Sequence, residues 1–340
     1  MQEISSPLIS VCIANYNGIG VIEACIASVR AQTGVSSIEI ITHDDASTDN
    51  SVQYIRDNHP DVTLIQSAEN VGFCISNNRM AAQAKGQYLL LLNNDAELLP
   101  DALTSLMQKA QNISMPAILG LPQYDANSGK LLDAGSLLDL FLNPIPNLDF
   151  NRDQVGMIMG ACLWIPKTLW NELGGFPEWF GSIGEDLYLC CRARLAGYPV
   201  IALNTSGFRH RVGHSFGGGK VTRGRLSTSR NRRALSERNK TFVMLLCYPA
   251  LLAAIIFPLH ITLLLLEGAL LSLAKFDFGL WQKIYAPVLP ALWANQHNLL
   301  GLRREVQQGR EIGLKSWLMP FRLMPYKLEM FCSHGLPDVR

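Results

Sequence analysis

Acidic residues occupy three places in the sequence where they could act on a phosphate-bearing ligand. Asp44 and Asp45 follow one apolar run, Asp95 follows another, and Glu185 and Asp186 begin a segment of helical composition. A carboxylate can accept hydrogen bonds from a ribose, coordinate a hard divalent cation, or take the proton of an attacking hydroxyl as a general base. Which of these is possible depends on the elements that carry the acids.

The sequence lacks the glycine-rich loops that bind phosphates through backbone amides. No GxGxxG follows the first apolar run, and no GxxxxGK[ST] occurs. A diphosphate bound here would therefore need a cation, and Asp95 is placed to hold Mg²⁺ or Mn²⁺, which accept one or two protein carboxylates and take their other ligands from phosphate and water. The alternative for Asp95 is to cap a helix near Pro100, and Asp45 has an equivalent local alternative.

Four short apolar runs rich in Ile, Val and Leu predict strands that are buried on both faces. Helix-length segments separate them, and this alternation predicts a parallel sheet with right-handed crossovers. The predicted strands are 8–14, 38–42, 62–66 and 88–92, and the predicted helices are 19–32, 51–58 and 76–85. Ligands of such sheets bind at the carboxyl ends of the strands. The residues to inspect are therefore Asn15, Tyr16, Asn17, Asp44, Asp45, 70–73, Asn93, Asn94 and Asp95.

The middle of the chain is less regular. Glycines and prolines between 116 and 150 indicate turns, and a strand followed by a helix is predicted for 156–176. A helix is predicted over Glu185–Leu195, with Gly197 as its C-terminal stop. Glu185 and Asp186 then lie in its first turn, where the helix dipole favours carboxylates.

The segment 242–266 has 25 residues without a formal charge, but Pro249 and Pro258 interrupt it. Its length is sufficient to cross a hydrocarbon core of roughly 30 Å. A kinked span, a re-entrant pair, interfacial helices and a buried hairpin of a soluble protein all remain open. Amphipathic segments with aromatic and basic residues follow, a composition that suits a membrane interface.

The net charge of +1 conceals a basic segment. Residues 220–240 carry eight cations and one anion, a charge of +7, which leaves −6 for the rest of the chain. The segment directly precedes the apolar run, so it could be a solvated face, a cytoplasmic flank of a membrane segment, or a contact for a lipid-linked pyrophosphate.

Composition narrows the class of protein. With 340 residues, of which 48% are apolar and 17% charged, the chain can bury a large α/β core and still supply a second region. Its eight cysteines show no metal-binding spacing and indicate free thiols in a reducing compartment. The first residues lack the pattern of a cleaved secretory signal, so we expect the chain to begin in the cytosol.

An ordered set of motifs resembles family-2 glycosyltransferases of the rhamnosyltransferase-like group. The order and spacing of the motifs match, and the similarity spans most of the chain. The matching segments are LISVCIANYN (8–17), DDASTDNS (44–51), NVGF (70–73) with Asn77 and Asn78, LLNND (91–95), GGF (174–176), Glu185 and Asp186, AGY (196–198), His210 with Gly213 and Ser215, and ERN (237–239).

The resemblance implies a GT-A fold, which is a Rossmann-like, mostly parallel sheet flanked by helices, with a C-terminal helical membrane-associated region. It also implies a nucleoside-diphosphate-sugar donor, Mg²⁺ or Mn²⁺, and inversion at the anomeric carbon. Carried over to this sequence, the donor would contact the strand-end residues Asn15, Asn17, Asp45, Asn70, Gly72 and Asn94. Asp95 would hold the metal, and His210 would help to bind the metal or the pyrophosphate, although a single histidine is often structural. Asp186 would be the general base, and Glu185 would orient it or bind the acceptor.

Three departures from the family pattern bear on function. Asn93-Asn94-Asp95 offers the metal one carboxylate, and Tyr188 stands where many relatives have an acid. No QxxRW motif is present, which favours one addition per encounter over processive synthesis.

We expect a catalytic domain at 1–218 with halves 1–115 and 116–218, a basic linker at 219–241, and a membrane-associated region at 242–340. The expected acceptor is a lipid-linked or cell-envelope glycan at the cytoplasmic face of the membrane, bound by a peripheral, monotopic or briefly spanning protein. No nucleic acid is expected as a partner. A catalytically inactive membrane-anchored binding protein and a nucleotidyltransferase are the alternatives.

Overall fold

The computed structural model describes residues 9–211, 218–222 and 225–340. Gly213 and Ser215 of the family motif, and Arg223 of the basic segment, lie outside these residues. Two compact units are present. The first comprises residues up to 136, 146–189 and 198–211, and the second comprises 137–145, 190–197 and the chain from 212 onward.

The elements follow one another in chain order. The strands are β1 (Ile9–Asn15), β2 (Ile38–Asp44), β3 (Thr63–Gln66), β4 (Tyr88–Asn93), β5 (Ala96–Leu98), β6 (Ile118–Gly120), β7 (Gln123–Asp125), β8 (Leu131–Asp133), β9 (Leu137–Asp139), β10 (Pro144–Ile145), β11 (Cys162–Pro166), β12 (Val200–Ala202), β13 (Phe208–His210), β14 (Gly218–Thr222), β15 (Arg225–Thr228), β16 (Phe321–Arg322) and β17 (Asp338–Val339). The α-helices are α1 (Ile22–Arg30), α2 (Ser51–Asn58), α3 (Phe73–Gln83), α4 (Ala102–Asn112), α5 (Lys167–Glu172), α6 (Glu185–Leu195), α7 (Arg230–Cys247), α8 (Ala250–Lys275), α9 (Phe278–Leu280), α10 (Val288–Ala294), α11 (Gln296–Gln308), α12 (Leu314–Trp317) and α13 (Tyr326–His334).

The first unit is built on a seven-stranded sheet with the order β12-β6-β11-β4-β1-β2-β3. The four strands predicted from apolar runs are adjacent and parallel, as expected. The sequence did not reveal that β11 lies antiparallel between β4 and β6. A smaller sheet in the same unit has the order β5-β13-β7-β8, with β13 parallel to β7.

The central strands form because their side chains are apolar on both faces and both faces are covered. In β1, Ile9, Val11 and Ile13 have no exposed surface, and they pack in one core with residues of α1 and α4. Burial of this kind contributes about 25 cal/mol per Å² of apolar surface removed from water. The sheet is therefore a rigid support for the loops at its edge.

The second unit is largely helical, and its helices divide the uncharged segment 242–266 differently from the sequence pattern. Helix α7 ends at Cys247, and Pro249 precedes the first residue of α8. Pro258 lies inside α8 without ending it. Among the described residues, α8 alone is long and apolar enough to cross a membrane, and 17% of its most apolar stretch is buried.

The later part of the basic segment is helical. From Arg230 onward the residues predicted as a linker belong to α7, and Glu237 and Lys240 are buried there. Lys240 pairs with Glu237 at 2.9 Å, and Lys327 of α13 pairs with the same carboxylate at 2.5 Å. A buried ion is costly unless it has a partner of opposite charge. These charges therefore pair with one another in an ionic cluster within the second unit.

Candidate active site

Asn15 ties together the carboxyl ends of three neighbouring strands. Its Nδ2 donates to Asp44 Oδ1 at 2.8 Å and to Ser51 Oγ at 3.0 Å, while its Oδ1 accepts from Asn94 Nδ2 at 2.9 Å. Asn15 and Asn94 are buried. The amide of Asn15 therefore fixes the positions of the loops after β1, β2 and β4 relative to one another.

Gly18 permits this arrangement. A Cβ atom added at Gly18 would lie 2.0 Å from Asn15 Oδ1 and 2.4 Å from Asn94 Nδ2. Nothing lies within 4 Å of a Cβ added at Gly20. The close approach is therefore specific to Gly18, where any side chain would displace the amide pair.

Asn17 holds the loop after β2. Its backbone N–H donates to Ser47 Oγ at 2.8 Å, and its Oδ1 accepts from the backbone N–H of Thr48 at 2.8 Å. Its φ is 49°, and that of Ala46 is 59°. Asparagine adopts this left-handed conformation more readily than most residues, but alanine does not. Because Ala46 is strained, we infer that hydrogen bonds hold the turn at 44–48.

Asp45 binds the loop that precedes α3. Its carboxylate accepts from the backbone N–H groups of Val71 at 2.6 Å and Gly72 at 2.9 Å, and Asn70 Nδ2 donates to its carbonyl oxygen at 3.3 Å. Gly72 has φ 87°, and an added Cβ would lie 3.0 Å from the carbonyl oxygen of Gly181. Asp45 does not cap α2, which Asn50 precedes.

Asp95 and His210 form a pair. Asp95 Oδ1 lies 3.0 Å from His210 Nε2, and their side chains are 3% and 12% exposed. Gln123 Nε2 lies 3.1 Å from His210 Nδ1. The alternative that Asp95 caps the next helix is wrong, since α4 begins at Ala102. The predicted metal residues are thus brought together although 115 positions separate them.

The helix α6 begins and ends as predicted, at Glu185 and Leu195. Asp186 Oδ2 accepts from the backbone N–H of Gly160 at 2.9 Å. The loop before the helix is strained, because Ile183, a β-branched residue, has φ 69°. Backbone strain of this kind is concentrated at functional sites.

A short segment connects the surroundings of Asp186 with those of Asp95. Gly160 donates to Asp186, and the carbonyl oxygen of the next residue, Ala161, accepts from the backbone N–H of Asn93 at 3.0 Å. Asn93 is two residues before Asp95. The predicted base and the predicted metal carboxylate are thus attached to one support in the first unit.

Tyr188 is not at the surface. Its side chain is buried, and its ring meets that of Phe180 edge to face at a centroid distance of 5.8 Å. An aromatic side chain at this position contributes to the core of the first unit.

Sequence reasoning missed several residues that shape the site. Ser51, Gly18 and Gly160 act through contacts with residues far along the chain. Gln123 reaches His210 across 87 positions. No local pattern signals such contacts, although Gly18 follows the Asn-Tyr-Asn motif closely enough to suggest a tight turn.

A cavity of about 590 Å³ lies at the other edge of the sheet. Lys85, Tyr88, Met115, Lys167 and Asn171 are among its lining residues. Tyr88 is the first residue of β4, whereas Asp95 follows the end of that strand. The cavity contains none of the predicted site residues.

The chain belongs to glycosyltransferase family 2. The profile described as "Glycosyl transferase family group 2" matches residues 88–295, and the profile "Glycosyl transferase family 2" matches residues 10–144. The family match supports the class of enzyme that the sequence predicted, a glycosyltransferase.

Two curated relatives indicate the breadth of the family. The N-acetylglucosaminyl-diphospho-decaprenol L-rhamnosyltransferase of Mycobacterium tuberculosis is 22% identical over 210 residues, which cover 53% of this chain and 68% of that protein. The chondroitin synthase of Pasteurella multocida is 37% identical over 189 residues, 54% of this chain and 18% of that one. The matches to three other similar proteins span less than two thirds of those proteins, at 23%, 35% and 31% of their lengths.

Solved structures establish the fold. GalNAc-T7, crystallised with UDP, GalNAc and Mn²⁺, superposes with a TM-score of 0.55 at 16% identity and covers 72% of this chain and 48% of its own. The mannosyltransferase PcManGT of Pyrobaculum calidifontis, in complex with GDP-Man and Mn²⁺, has a TM-score of 0.51 at 17% identity, with 90% and 88% covered. The fold is GT-A with a C-terminal helical region that contains one long apolar helix.

Proposed function

We propose that the first unit transfers a sugar from a nucleoside diphosphate sugar to a hydroxyl group of a glycan acceptor with inversion at the anomeric carbon. The observation that carries the proposal is that Asp186 is hydrogen-bonded to Gly160 and Asn93 to the next residue, Ala161. A base and a leaving-group site on one rigid support satisfy the positional demands of a displacement reaction. Asn93 ends β4 and Ala161 directly precedes β11, and both strands belong to the seven-stranded sheet.

The nucleotide is assigned to the loops that Asn15, Asn17 and Asp45 organise. These residues hold the carboxyl ends of β1 and β2, where ligands of parallel sheets bind. The similar structures of GalNAc-T7 and PcManGT carry UDP and GDP-Man. Asn70, Gly72 and Asn94 belong to the same network and are assigned to donor binding with them.

Asp95 and His210 fit a divalent cation. A carboxylate oxygen of Asp95 and an imidazole nitrogen of His210 lie 3.0 Å apart, and both are ligand types that Mn²⁺ accepts. No group of three or more His, Cys, Asp or Glu side chains occurs among the described residues, so phosphate oxygens and water would complete the shell. Mg²⁺ or Mn²⁺ bound there would neutralise charge on the leaving diphosphate.

Asp186 is the proposed general base. Its carboxylate takes the proton of the acceptor hydroxyl as that oxygen bonds to the anomeric carbon from the face opposite the diphosphate. The bond from carbon to the diphosphate oxygen breaks, and the nucleoside diphosphate leaves with the electron pair. The N–H of Gly160 holds one carboxylate oxygen during this step. Glu185, the preceding residue, is assigned to orienting Asp186 or binding the acceptor.

The acceptor is proposed to be a lipid-linked or cell-envelope glycan, extended by one sugar per encounter. Support comes from the Mycobacterium tuberculosis relative, whose name specifies a rhamnosyltransferase for a diphospho-decaprenol substrate. Rhamnose is therefore the first donor sugar to test. An enzyme held at a membrane also has a higher effective concentration of an acceptor anchored there.

The second unit is proposed to bind the membrane through α8. Its exposed face carries a continuous apolar stripe at helical spacing, whereas its buried face includes the less apolar His260, Gly268 and Ser272. The stripe consists of Leu251, Ile255, Leu259, Leu263, Leu266, Leu270 and Leu273. A helix that exposes its most apolar face to its surroundings is suited to lipid.

We place α8 along the membrane surface rather than across the bilayer. Glu267 pairs with Lys327 at 2.7 Å, and their side chains are 30% and 35% exposed. Glu267 is eight residues, or about 12 Å, before the end of α8 at Lys275, so a crossing helix would put this partly exposed ion pair within the hydrocarbon. On the helix Glu267 lies about 100° from the stripe, which places it at the interface when α8 lies flat.

Labelling of single cysteines at the two ends of α8 tests this orientation. Ala250→Cys and Lys275→Cys, each made with Cys332→Ser because Cys332 is the exposed native cysteine, are expressed in intact cells and in opened cells. An impermeant maleimide should fail to label both positions in intact cells and label both after opening. Labelling of one end only in intact cells would show that α8 crosses the membrane.

The transfer reaction is tested with the full chain in lipid vesicles. Nucleoside diphosphate release is measured with dTDP-rhamnose, UDP-sugars and GDP-sugars, with and without Mn²⁺ and a polyprenyl-diphosphate-linked glycan. Release that requires a donor, the metal and the lipid-linked acceptor is the expected result. Equally efficient transfer to a water-soluble acceptor by a chain ending near 215 would contradict the proposed acceptor.

A further inference from the structure

Gln123 contains a buried oxygen that is not satisfied. The residue is 3% exposed, and its Nε2 lies 3.1 Å from His210 Nδ1. Its Oε1 is buried and has no hydrogen-bond partner among the described residues. Buried polar atoms are rarely left unpaired, so this atom requires an explanation.

The two ends of the Gln123 amide impose different tautomers on His210. When Nε2 of Gln123 donates to Nδ1, a neutral imidazole carries its proton on Nε2 and donates it to Asp95 Oδ1, 3.0 Å away. When the amide is rotated by half a turn, Oε1 accepts from Nδ1–H, and Nε2 presents a lone pair toward Asp95. The two amide orientations have nearly the same shape.

A metal ion distinguishes the two arrangements. A ring nitrogen that carries a proton cannot coordinate a cation, so binding at Nε2 requires the proton on Nδ1. The rotated amide accepts a hydrogen bond from Nδ1–H through Oε1, the atom that otherwise has no partner among the described residues, while its Nε2 takes the place that Oε1 held. Asn93 Nδ2, 3.4 Å from His210 Nε2, can donate to that nitrogen only while it lacks a proton.

We propose that Gln123 is a positioning residue whose amide sets the tautomer of His210 and thereby prepares the Asp95–His210 pair for a divalent cation. The inference rests on the metal assignment of the proposed function, to which it adds an outer partner. Gln123 is well placed for this role because β7, which carries it, is paired with β13, which carries His210. In this pairing Gln123 lies opposite Phe208, two residues before His210, so Gln123 and His210 are on the same face of the sheet.

Mn²⁺ binding by the full chain tests the proposal without an activity assay. Electron paramagnetic resonance measures free Mn²⁺ in titrations of the wild type, Gln123→Glu and Gln123→Met. The Glu variant keeps an acceptor for Nδ1–H and should bind Mn²⁺ at least as tightly as the wild type. The Met variant has a similar shape but no acceptor and should bind about 10–100-fold more weakly, as is typical when an outer partner of a metal-binding histidine is lost.

Asp95→Asn serves as the reference for loss of the site, and the thermal unfolding temperature of each variant shows whether it folds. Weakened binding in a folded Met variant, with retained binding in the Glu variant, supports the role of Gln123 even where no sugar transfer is detected. Equal affinity of the Met variant and the wild type, equal weakening of both variants, or no Mn²⁺ binding by the wild type would overturn it. Failure of transfer with this pattern of binding intact would count against the proposed function alone.

Discussion

Asp186 Oδ2 accepts a hydrogen bond from the backbone N–H of Gly160 at 2.9 Å. Because Ala161 in turn binds the backbone of Asn93, the proposed base cannot shift relative to the proposed metal carboxylate without disturbing β4. Catalysis by displacement depends on such fixed positions, since an error of about 1 Å can reduce the rate on the order of a hundredfold.

Asp186→Asn should abolish transfer but not donor binding. The amide cannot accept the proton of the acceptor hydroxyl, so turnover should fall by roughly 10²–10⁴-fold. Nucleoside diphosphate release measures turnover, and the rise in unfolding temperature on adding nucleotide measures binding. Asp57→Asn is the control, because Asp57 is an exposed residue of α2 that binds Gln53. A fall in turnover of less than threefold in the Asp186 variant would exclude it as the base.

Gly18→Ala should weaken nucleotide binding, whereas Gly20→Ala should not. The new methyl group at Gly18 would occupy the space of the Asn15 and Asn94 amides, but the one at Gly20 meets nothing within 4 Å. We expect at least a tenfold loss of affinity for Gly18→Ala and less than a twofold change for Gly20→Ala. Titration calorimetry with UDP, GDP and dTDP measures both. Similar affinities of the two variants would show that the Asn15–Asn94 contact is not part of the donor site.

Asp133→Asn should stabilise the protein in a pH-dependent way. Burial raises the pKa of Asp133 from 3.8 to about 6, although Ser136 and the backbone of Asn147 donate to its carboxylate. A raised pKa of an acid contributes stability below pH 3.8 that is lost as the pH rises to about 6, a loss of about 3 kcal/mol. The asparagine variant does not ionise and avoids this loss.

The difference in unfolding temperature between Asp133→Asn and the wild type should therefore increase from pH 4 to pH 7 and stay constant above pH 7. Scanning calorimetry at a series of pH values measures the difference. Asp57→Asn again provides the control, with a difference that stays within about 1 °C. A difference for Asp133→Asn that is independent of pH would contradict the raised pKa.

Glu237→Gln should destabilise the second unit strongly. Burial alone would raise the pKa of Glu237, but Lys240, Lys327 and Arg233 hold it well below 4.5. Removing the carboxylate leaves the buried Lys240 without its ion-pair partner, whereas Lys327 and Arg233 keep Glu267, and an unpaired buried charge costs about 3–5 kcal/mol. Because the folded-state pKa is lowered, this stabilisation is present above pH 4.5 and is lost as the pH falls below it.

Glu329→Gln is the matched control for Glu237→Gln. Glu329 pairs with Arg322, but the two side chains are 41% and 42% exposed, and such a pair contributes about 0–1 kcal/mol. Thermal unfolding of both variants at pH 7.5 should separate them clearly. Similar unfolding temperatures would show that the buried cluster does not stabilise the second unit.

The sequence predicted the parts of the fold that depend on local pattern. Strands β1, β2 and β4 were evident because both faces are buried and the apolar runs are continuous. Helix α6 was predicted to the residue because its composition and Gly197 mark it. The short strands between 118 and 145 were not, since three residues show no periodicity.

The same distinction between local and distant features applies to the candidate active site. Residues at strand ends, such as Asp45 and Asp95, could be located from the order of the elements alone. Their partners could not, because the contacts of Asp45 with Gly72 and of His210 with Gln123 depend on how distant segments meet. Pro258 was expected to interrupt the apolar segment, but a proline removes one hydrogen bond of a helix, and the 26-residue α8 continues past it.

The most direct test of the central claim is the anomeric configuration of the product. The full chain in vesicles is supplied with Mn²⁺, a polyprenyl-diphosphate-linked acceptor and the nucleotide sugar that supports release of nucleoside diphosphate, and the product is examined by NMR. The account predicts a configuration opposite to that of the donor, with no product from Asp186→Asn. A product with the configuration of the donor, or one formed at an undiminished rate by Asp186→Asn, would contradict it.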